Sequence, residues 1–579
     1  MKVFDFKLLF KLIHYTKPYK IVFLGAILAS IFFGLLSTTR PLLIQYAFDH
    51  YILNSNIEKL LNIIIIIFIF LLFEALFQFV FIYQSNYLAQ KIIKNLRANL
   101  FDKIISFQVR YFDSNQIGTT ITRLISDIEA ISSVFSQGLL VIFGDLFKVC
   151  LIITCMFFVN WRLALISLLF LPFLILATIL FQKHMQKAFL DVRKYISKIN
   201  TFVYEHIIGM NLVQIFSKEN NEFELFKNLN SFHRDAHIKT VLYFSIFLPI
   251  VDVFSAIAMG LIVWYGSIQA INTQLVTIGE IVAFILFINM LFRPLRGIAD
   301  RFNILQMGVV AANRVFILLE SQIKQENVYD SSVQVNMWTN TSIVFKDVTF
   351  AYKAGEPVLN NIHFAIHPND NIAIIGSTGS GKTTIINLLM KWYDLTFGDI
   401  YINENNLSNI SIQELRKNIG IVLQDNFFLA DSLMNNIKFF HNISDKEVYN
   451  AVEQIGLEDF INKFPEKYNY HIGERGNGLS QGEKQLISFL RTYLLNPACF
   501  ILDEATSSMD PFTEKLIQKA IKNITKNRTS IIIAHRLSTI QDANKILVLE
   551  NGDIVESGTH KELINLNGKY ANYYYQQFI

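Results

Sequence analysis

The hydrophobic positions of this chain form long runs in its first half and short, alternating patterns in its second half. A segment needs about 20 consecutive apolar residues to cross a bilayer as a helix. Six charge-poor segments reach that length: residues 19–41, 60–83, 137–159, 162–182, 241–266 and 278–298. The pattern therefore predicts six transmembrane helices.

The start of the chain resembles a signal peptide, because lysines precede the apolar run from Ile21 to Leu36. No small-x-small cleavage site follows, so we interpret the run as an uncleaved first transmembrane helix. Residues 2–17 alternate apolar side chains with lysines at helical spacing. This pattern predicts an amphipathic helix at the membrane interface.

The polar connections between these segments differ in length and charge. Residues 84–136 and 183–240 are long and rich in Lys and Arg, whereas 42–59, 160–162 and 267–277 carry little positive charge. The positive-inside rule places the two long segments and both termini in the cytoplasm. Apolar residues such as Leu88, Ile92 and Leu96 keep a helical spacing beyond residue 83, which predicts long cytoplasmic extensions of the helices.

The bulk composition supports a membrane protein. Hydrophobic residues make up 52% of the 579 residues and charged residues 17%, and the mean hydropathy is +0.36. The net charge of +4 is too small to indicate nucleic-acid binding. The three cysteines show no CxxC spacing, which argues against a disulfide or zinc framework.

A glycine-rich octet in the second half, Gly376–Thr383, follows the strand-like run Asn371–Ile375 and precedes a helical run. Strand, glycine-rich loop, lysine, hydroxyl and helix in this order indicate a P-loop, whose backbone N–H groups hold phosphates. Lys382 is suited to the β- and γ-phosphates and Thr383 to Mg²⁺. The predicted nucleotide-binding residues are Gly376, Ser377, Thr378, Gly379, Ser380, Gly381, Lys382, Thr383 and Thr384.

A second buried-strand pattern, Cys499 to Leu502, ends in the acids Asp503 and Glu504. Phosphoryl transfer needs a metal-holding carboxylate and a group that orients the attacking water. Asp503 is the candidate for Mg²⁺, and Glu504 is the candidate for polarising the water.

The segment Leu479–Glu483 (LSQGE) lies between these two elements and precedes a helical run. It resembles the LSGGQ signature of ATP-binding cassette (ABC) proteins, from which it departs at Gln481 and Glu483. Ser480 and Gly482, which the resemblance assigns to phosphate contact, are kept.

Further residues match ABC motifs in the family's order. The resemblance gives Tyr352 the role of stacking on adenine, Gln424 that of sensing Mg²⁺ and the membrane domain, and His535 that of contacting the γ-phosphate. Ser508–Asp510 resembles the D-loop, and Gly473–Gly476 resembles the exporter X-loop. In the membrane half, the residues that resemble exporter coupling loops and the sixth-helix region are Tyr111–Asp113, Gly118, Arg123, Asp127, Glu205, Gly209, Glu219, Ile278–Glu280 and Arg293–Pro294.

The resemblance covers nearly the whole chain and implies a bacterial exporter half-transporter similar to multidrug-resistance-like proteins. The implied fold is a membrane α-helical domain (1–319) with six transmembrane helices, a linker (320–340) and an α/β P-loop cassette (341–579). The implied cofactors are ATP and Mg²⁺, and each ATP lies between the P-loop of one cassette and the signature of another. The implied location is the cytoplasmic (inner) membrane, with the cassette in the cytoplasm.

Several alternatives stay open. The second half-transporter is either another copy or a related chain, and the membrane lipid and a small amphipathic substrate are further expected partners. Drug exporter and lipid flippase fit equally well. An ATP-gated channel or membrane-anchored regulator would use the same cassette, whereas six spans and a low net charge argue against an ATPase acting on DNA.

Four ionisable residues lie within or near the predicted spans: Glu74, Asp145, Lys148 and Asp252. Such groups are costly inside a bilayer and are functional by default. Asp145 and Lys148 are three residues apart, so we expect them to pair on one helix face. Glu74 and Asp252 are candidates for lining a cavity that attracts cationic cargo.

Overall fold

A computed structural model of the chain describes residues 6–272, 275–321, 338, 340–353, 355–424, 426–503, 511–533 and 540–576. The chain forms two compact units. One comprises Met1–Ile105 and Asn115–Gln322, and the other comprises Ser106–Ser114 and Ile323–Ile579.

The first unit is helical. Its helices are α1 (Phe6–His14), α2 (Lys17–Ile52), α3 (Ile57–Ile105), α5 (Ile117–Val159), α6 (Trp161–Ile208), α7 (Met210–Ile215), α8 (Glu219–Asn272) and α9 (Ile278–Glu320), whereas α4 (Val109–Ser114) belongs to the second unit. A 3₁₀ turn begins α2 and a π-helical turn ends it, and two π-helical turns lie inside α5.

Six helices of the described part are long and apolar enough to cross a membrane, as predicted. Five of the predicted spans fall inside α2, α3, α5, α6 and α8. The sixth predicted span, 278–298, lies inside α9, with which it begins.

The helices continue well beyond the predicted spans. At about 1.5 Å per residue, the 49 residues of α3 extend roughly 70 Å, more than twice the thickness of a bilayer's hydrocarbon core. Leu88, Ile92 and Leu96, which lie in this extension, are buried. The extension therefore packs as a regular helix, as its apolar spacing predicted.

The N-terminus of α9 is fixed by polar contacts. Thr277 caps the helix by accepting a hydrogen bond from the Glu280 N–H at 3.1 Å. The Asp49 carboxylate accepts from the Gly279 N–H at 2.9 Å and from the Thr277 hydroxyl at 2.7 Å. A Cβ atom at position 279 would lie 2.6 Å from Asp49, so glycine is required for this close approach.

The second unit contains ten strands and nine helices among its described residues 340–576. The strands are β1 (Ile343–Phe350), β2 (Leu359–Ile366), β3 (Asn371–Gly376), β4 (Phe397–Ile402), β5 (Asn405–Asn406), β6 (Ile419–Val422), β7 (Cys499–Asp503), β8 (Thr529–Ile533), β9 (Lys545–Glu550) and β10 (Asp553–Gly558). The helices are α10 (Lys382–Leu389), α11 (Ile412–Asn418), α12 (Leu433–Lys438), α13 (Asp445–Ile455), α14 (Glu458–Asn462), α15 (Gln481–Leu494), α16 (Pro511–Thr525), α17 (His560–Asn565) and α18 (Lys569–Gln576).

The strands form two sheets. A four-stranded antiparallel sheet has the order β2-β1-β4-β5, and a six-stranded sheet has the order β10-β9-β3-β8-β7-β6. In the larger sheet β9, β3, β8, β7 and β6 are parallel, and β10 pairs antiparallel with β9. A parallel sheet covered on both faces is typical of α/β proteins.

Both faces of the larger sheet are buried because side chains alternate along each strand. Ile372 and Ile374 of β3 pack with the antiparallel sheet in one core. Ala373 and Ile375 pack with α15 and neighbouring helices in a second core. This double burial explains why β3, β7 and β8 appear in the sequence as continuous apolar runs.

Candidate functional site

The P-loop connects the central strand β3 to α10. Gly381, which precedes α10, has φ +102°, a left-handed conformation that glycine adopts at low cost. At Gly376 a Cβ atom would lie 2.1 Å from the Leu549 carbonyl oxygen of β9. Glycine at these two positions therefore allows the sharp turn between strand and helix that the motif predicted.

Lys382 lies at the start of α10 and is 7% exposed. Its Nζ donates hydrogen bonds to the Gly376 carbonyl at 2.8 Å and the Ser377 carbonyl at 2.9 Å. Burial lowers the pKa of Lys382, and the negative charge of Asp503 opposes that shift. The ammonium group is thus held against the loop, in the place where a phosphate would need a counter-charge.

The loop also presents an unsatisfied hydroxyl. The Ser380 Oγ is buried and has no hydrogen-bond partner among the described residues. A buried polar atom without a partner is costly, and a phosphate oxygen would satisfy it. This orphaned hydroxyl and the glycine-lined turn fit the predicted binding of a nucleotide phosphate.

Asp503 is the last residue of β7 and is buried. It pairs in register with Ile533 of β8, which in turn pairs with Ile374 of β3. The carboxyl ends of three parallel strands therefore bring Asp503 to the same sheet edge as the P-loop. Burial raises the pKa of Asp503, and the charge of Lys382 opposes that shift.

The Asp503 carboxylate and the hydroxyl of Thr383, in the first turn of α10, are the kinds of oxygen ligand that Mg²⁺ prefers. Asp503 and Thr383 therefore fit the predicted metal site. Glu504, Ser508–Asp510 and His535, the candidates that follow β7 and β8, lie outside the described residues.

Tyr352 is fixed beside the P-loop helix. Its hydroxyl lies 3.2 Å from the Thr384 Oγ1 and accepts a hydrogen bond from the Asn387 side chain at 3.0 Å. The ring is 37% exposed and makes a T-shaped contact with Tyr393 at 4.9 Å between centroids. An exposed aromatic face held next to α10 suits the predicted stacking on a base.

Tyr393 also contacts the segment Ser106–Ser114, which belongs to the same compact unit as the cassette. Its hydroxyl donates a hydrogen bond to the Asp113 carboxylate, and Gln108 donates to Asp394 at 3.4 Å. Burial and the Asp113 carboxylate raise the pKa of Tyr393. The sequence analysis identified Asp113 but missed Tyr393. The feature that could have indicated Tyr393 is an aromatic residue shortly after the P-loop helix.

The signature segment forms the N-terminus of α15. Ser480 caps this helix, accepting from the Glu483 N–H at 3.3 Å, while the Glu483 carboxylate accepts from the Ser480 N–H at 2.8 Å. This reciprocal arrangement is a capping box, in which glutamate is a favoured partner. The glutamate in place of the signature's usual glutamine therefore has a structural reason.

Glu483 is also paired with a cation. The Lys463 Nζ lies 2.8 Å from its carboxylate. Burial acts to raise the pKa of Glu483, but the hydrogen bonds and charge of Lys463 and Ser480 outweigh it and hold the pKa below its usual range. The second departure, Gln481, donates to the Gln424 carbonyl at 3.2 Å.

The predicted site residues thus fall into two groups within the cassette. The P-loop, Asp503 and Tyr352 gather around the start of α10. Ser480 and Gly482 belong to the start of α15, and the Ser480 side chain hydrogen-bonds within that helix. Gln424 is exposed beside Gln481.

The membrane unit contains a cavity of about 280 Å³ between α5, α6, α8 and α9. Met185, Phe189 and Phe244 contribute apolar surface, and Asp127 and Arg314 contribute charge. The Arg314 Nη1 lies 3.4 Å from the Asp127 carboxylate. A mixed lining of this kind is typical of sites for amphipathic ligands.

The ion pairs of the membrane unit correct one sequence interpretation. Asp145 pairs with Arg301 of α9 and not with Lys148 of its own helix. Glu74 lies 3.6 Å from Arg40, so its charge is compensated across α2 and α3. The expected pairing failed because partners on neighbouring helices are closer than the residue one turn away.

Comparison with known proteins agrees with this architecture. The family described as the ABC transporter transmembrane region matches residues 23–295, and the ABC transporter family matches residues 359–507. The uncharacterized ABC transporter ATP-binding protein YknV of Bacillus subtilis is 33% identical over 98% of this chain and 94% of its own length. A putative multidrug export ATP-binding/permease protein of Staphylococcus aureus is 33% identical over 97% of this chain and 98% of its own.

A solved structure of a bacterial Atm1-family ABC exporter with ATP bound has a TM-score of 0.80 at 24% identity. The match covers 96% of this chain and 99% of that chain, and it supports the fold. The chain belongs to the ABC transporter family. It has the exporter half-transporter layout, with membrane region and cassette on one polypeptide, and it is a multi-pass bacterial membrane protein with an ATP-binding, ATP-hydrolysing domain.

Proposed function

We propose that this chain is an ATP-driven exporter that moves an apolar or amphipathic, drug-like or lipid substrate out of the cytoplasm or the inner leaflet. The observation that carries the proposal is the P-loop, with its buried Lys382 and orphaned Ser380 hydroxyl, on the same chain as six membrane helices. The relatives named as multidrug export proteins support this direction of transport.

The proposed working unit is a dimer of half-transporters in the cytoplasmic membrane, with the cassettes in the cytoplasm. Its domains are the membrane domain 1–319, the linker 320–340 and the cassette 341–579. ATP would lie between the P-loop of one cassette and Ser480 and Gly482 of the other. The N-terminus of α15 supports this role, because helix N-termini favour phosphate.

Within each site the residues divide the work. Lys382 would neutralise phosphate charge, Tyr352 would stack on the base, and Glu504 would orient the attacking water, with His535 at the γ-phosphate. Asp503, Thr383 and Gln424 would hold Mg²⁺, which neutralises phosphate charge when bound. ATP binding would join the cassettes and hydrolysis would separate them, switching the membrane domain between inward-open and outward-open states.

The test is vanadate-sensitive ATPase activity of the purified chain in lipid, with Glu504→Gln as the blank. Activity above the blank would support a self-assembled homodimer. Folded but inactive protein would mean that a different half-transporter completes the site. Equal activity in the blank would overturn the role of Glu504.

The transported substrate separates the exporter from its alternatives. The mixed lining of the membrane cavity favours an amphipathic substrate, which includes a lipid, so a flippase is the second candidate. Inside-out vesicles should take up an amphipathic dye only with ATP, whereas a flippase should move a labelled lipid between leaflets. Flux that follows its gradient with bound, unhydrolysed ATP would instead indicate a gated channel.

A further inference from the structure

The Tyr352 ring, which the proposed function assigns to base stacking, is held by two kinds of contact. Its hydroxyl lies 3.2 Å from the Thr384 Oγ1 and accepts from the Asn387 side chain at 3.0 Å, and both partners belong to α10. The ring itself contacts Phe350 at 4.8 Å and Tyr393 at 4.9 Å between centroids. Both ring contacts are T-shaped, so neither neighbour takes the parallel arrangement in which a planar base would stack.

The two aromatic neighbours of Tyr352 are fixed in different ways. Phe350 is 3% exposed and belongs to the core between the antiparallel sheet and the larger sheet. Tyr393 is half-buried, packs against the same core and lies 5.8 Å from Phe350 between centroids. Its hydroxyl donates a hydrogen bond to the Asp113 carboxylate. Tyr393 is therefore the neighbour whose placement depends on a polar contact as well as on packing.

This polar contact comes from the segment Ser106–Ser114, which lies between α3 and α5 in the chain and belongs to the same compact unit as the cassette. A second hydrogen bond supports it, since the Gln108 side chain donates to Asp394 at 3.4 Å. Burial and the Asp113 carboxylate raise the pKa of Tyr393, so its hydroxyl stays protonated at neutral pH and can donate. Two consecutive residues of the cassette are thus bonded to this segment.

We propose that Tyr393 is a positioning residue for ATP binding, which holds the Tyr352 ring in place for the base and ties that placement, through Asp113, to the segment Ser106–Ser114. The inference rests on the proposed function, which gives Tyr352 its role, and it deepens that function. Tyr393 acts through Tyr352 and does not have to touch the nucleotide. Because coupling between two binding events is reciprocal, an occupied base site should in turn stabilise the contact with the segment.

The test compares the binding of two ligands to the full chain in lipid nanodiscs. The non-hydrolysable analogue AMP-PNP carries a base and a triphosphate chain, whereas inorganic tripolyphosphate carries phosphates alone. Each is titrated in the presence of Mg²⁺ by calorimetry, so the result does not depend on turnover. The ratio of the two dissociation constants reports what the nucleoside contributes, and tripolyphosphate binding verifies that each variant is folded.

Variants of the ring test the contact with Tyr352. Tyr393→Leu should weaken AMP-PNP binding by about threefold, as expected for an aromatic pair, and leave tripolyphosphate binding unchanged. Tyr449→Leu breaks a similar ring contact in α13, 4.8 Å from Tyr468, and should change neither affinity. If Tyr352→Ala weakens AMP-PNP and Tyr393→Leu does not, the inference is wrong and the proposed function stands. If neither ligand binds to the wild type, the P-loop assignment itself fails.

Variants of the hydrogen bond test the link to the segment. Tyr393→Phe and Asp113→Ala should each weaken AMP-PNP binding by about twofold. The double variant should lose no more than either single one, because both changes remove the same interaction. Asp113→Asn keeps a carbonyl oxygen that can accept the bond and should be close to the wild type. Additive losses, or an unchanged affinity in Asp113→Ala, would overturn the dependence on the segment.

Discussion

The cassette and the membrane unit handle buried charge in opposite ways. In the cassette, Lys382 at the start of α10 and Asp503 at the end of β7 influence one another's pKa, and both belong to recognisable sequence motifs. In the membrane unit, the Asp145 and Glu74 carboxylates lie close to cations of other helices, Arg301 and Arg40. The charged residues of the cassette site belong to sequence motifs that predict a phosphate ligand. In the membrane unit, the partner of each charged side chain depends on how the helices pack.

The largest effect is expected for Lys382→Ala. It removes the ammonium group that the P-loop holds for phosphate, so ATP turnover should fall by at least about 100-fold. Steady-state ATPase activity in lipid measures the loss. Lys346→Ala, a change at an exposed lysine of β1, should leave turnover unchanged. Wild-type turnover in Lys382→Ala would refute the P-loop assignment.

The matching change in the membrane unit is Arg301→Gln. It leaves the Asp145 carboxylate uncompensated among membrane helices, which should cost about 3–5 kcal/mol of stability. A lower melting temperature in detergent micelles would report this cost. Adding Asp145→Asn should recover most of it, because the double variant buries no charge. A double variant as unstable as the single one would count against the cross-helix pair.

The pH dependence sharpens the account of the cassette site. Because burial raises the pKa of Asp503 above its ordinary value of 3.8, protons should compete with Mg²⁺ at a higher pH than for an exposed aspartate. The Mg²⁺ concentration needed for half-maximal ATPase activity should therefore rise as the pH falls towards the acid range. Asp503→Asn should lose this dependence together with most of its activity. A wild-type Mg²⁺ requirement that does not change with pH would contradict this role of Asp503.

A smaller effect is expected at the signature helix. Glu483→Ala removes half of the capping box and the contact with Lys463, which should cost about 1 kcal/mol of stability. Since folding lowers the pKa of Glu483, its stabilisation is present above the unfolded pKa and is lost as pH falls through the folded pKa. Thermal unfolding of wild type and variant should therefore converge in acid. Glu483→Gln, which retains the capping hydrogen bond, should be closer to wild type.

The smallest effect is expected for Tyr352. Tyr352→Ala removes the stacking surface and should weaken nucleotide binding by about 1 kcal/mol. Tyr352→Phe keeps the ring but loses the hydrogen bonds to Thr384 and Asn387. Its affinity for the nucleotide should therefore lie between those of the wild type and Tyr352→Ala. Titration with a fluorescent ATP analogue would measure both. Equal affinities in all three proteins would show that the ring does not contact the base.

Much of the fold was accessible from the sequence because its signals are local. The apolar runs predicted six membrane helices, and the alternating and continuous patterns predicted the strands on either side of the P-loop. Glu504 and His535 remain predictions, because they lie outside the described residues.

The partners of single side chains were not accessible in the same way. The pairing of Asp145 with Arg301, the hydrogen bond from Tyr393 to Asp113 and the contact between Lys463 and Glu483 join residues far apart in the chain. Pattern reasoning looked one helical turn away for Asp145 and chose Lys148. Contacts between residues that are far apart in the chain produce no periodic pattern in the sequence, so pattern analysis does not detect them.

The sequence by itself determined which segments are apolar enough to enter a membrane and which loop is built to hold phosphate. Both follow from hydrophobicity and backbone geometry over fewer than about 30 neighbouring residues. Only the tertiary structure decided which charges are neutralised, because that depends on distances of a few ångströms between different helices. The pairing of Asp145 with Arg301 became visible only when the helices were packed together.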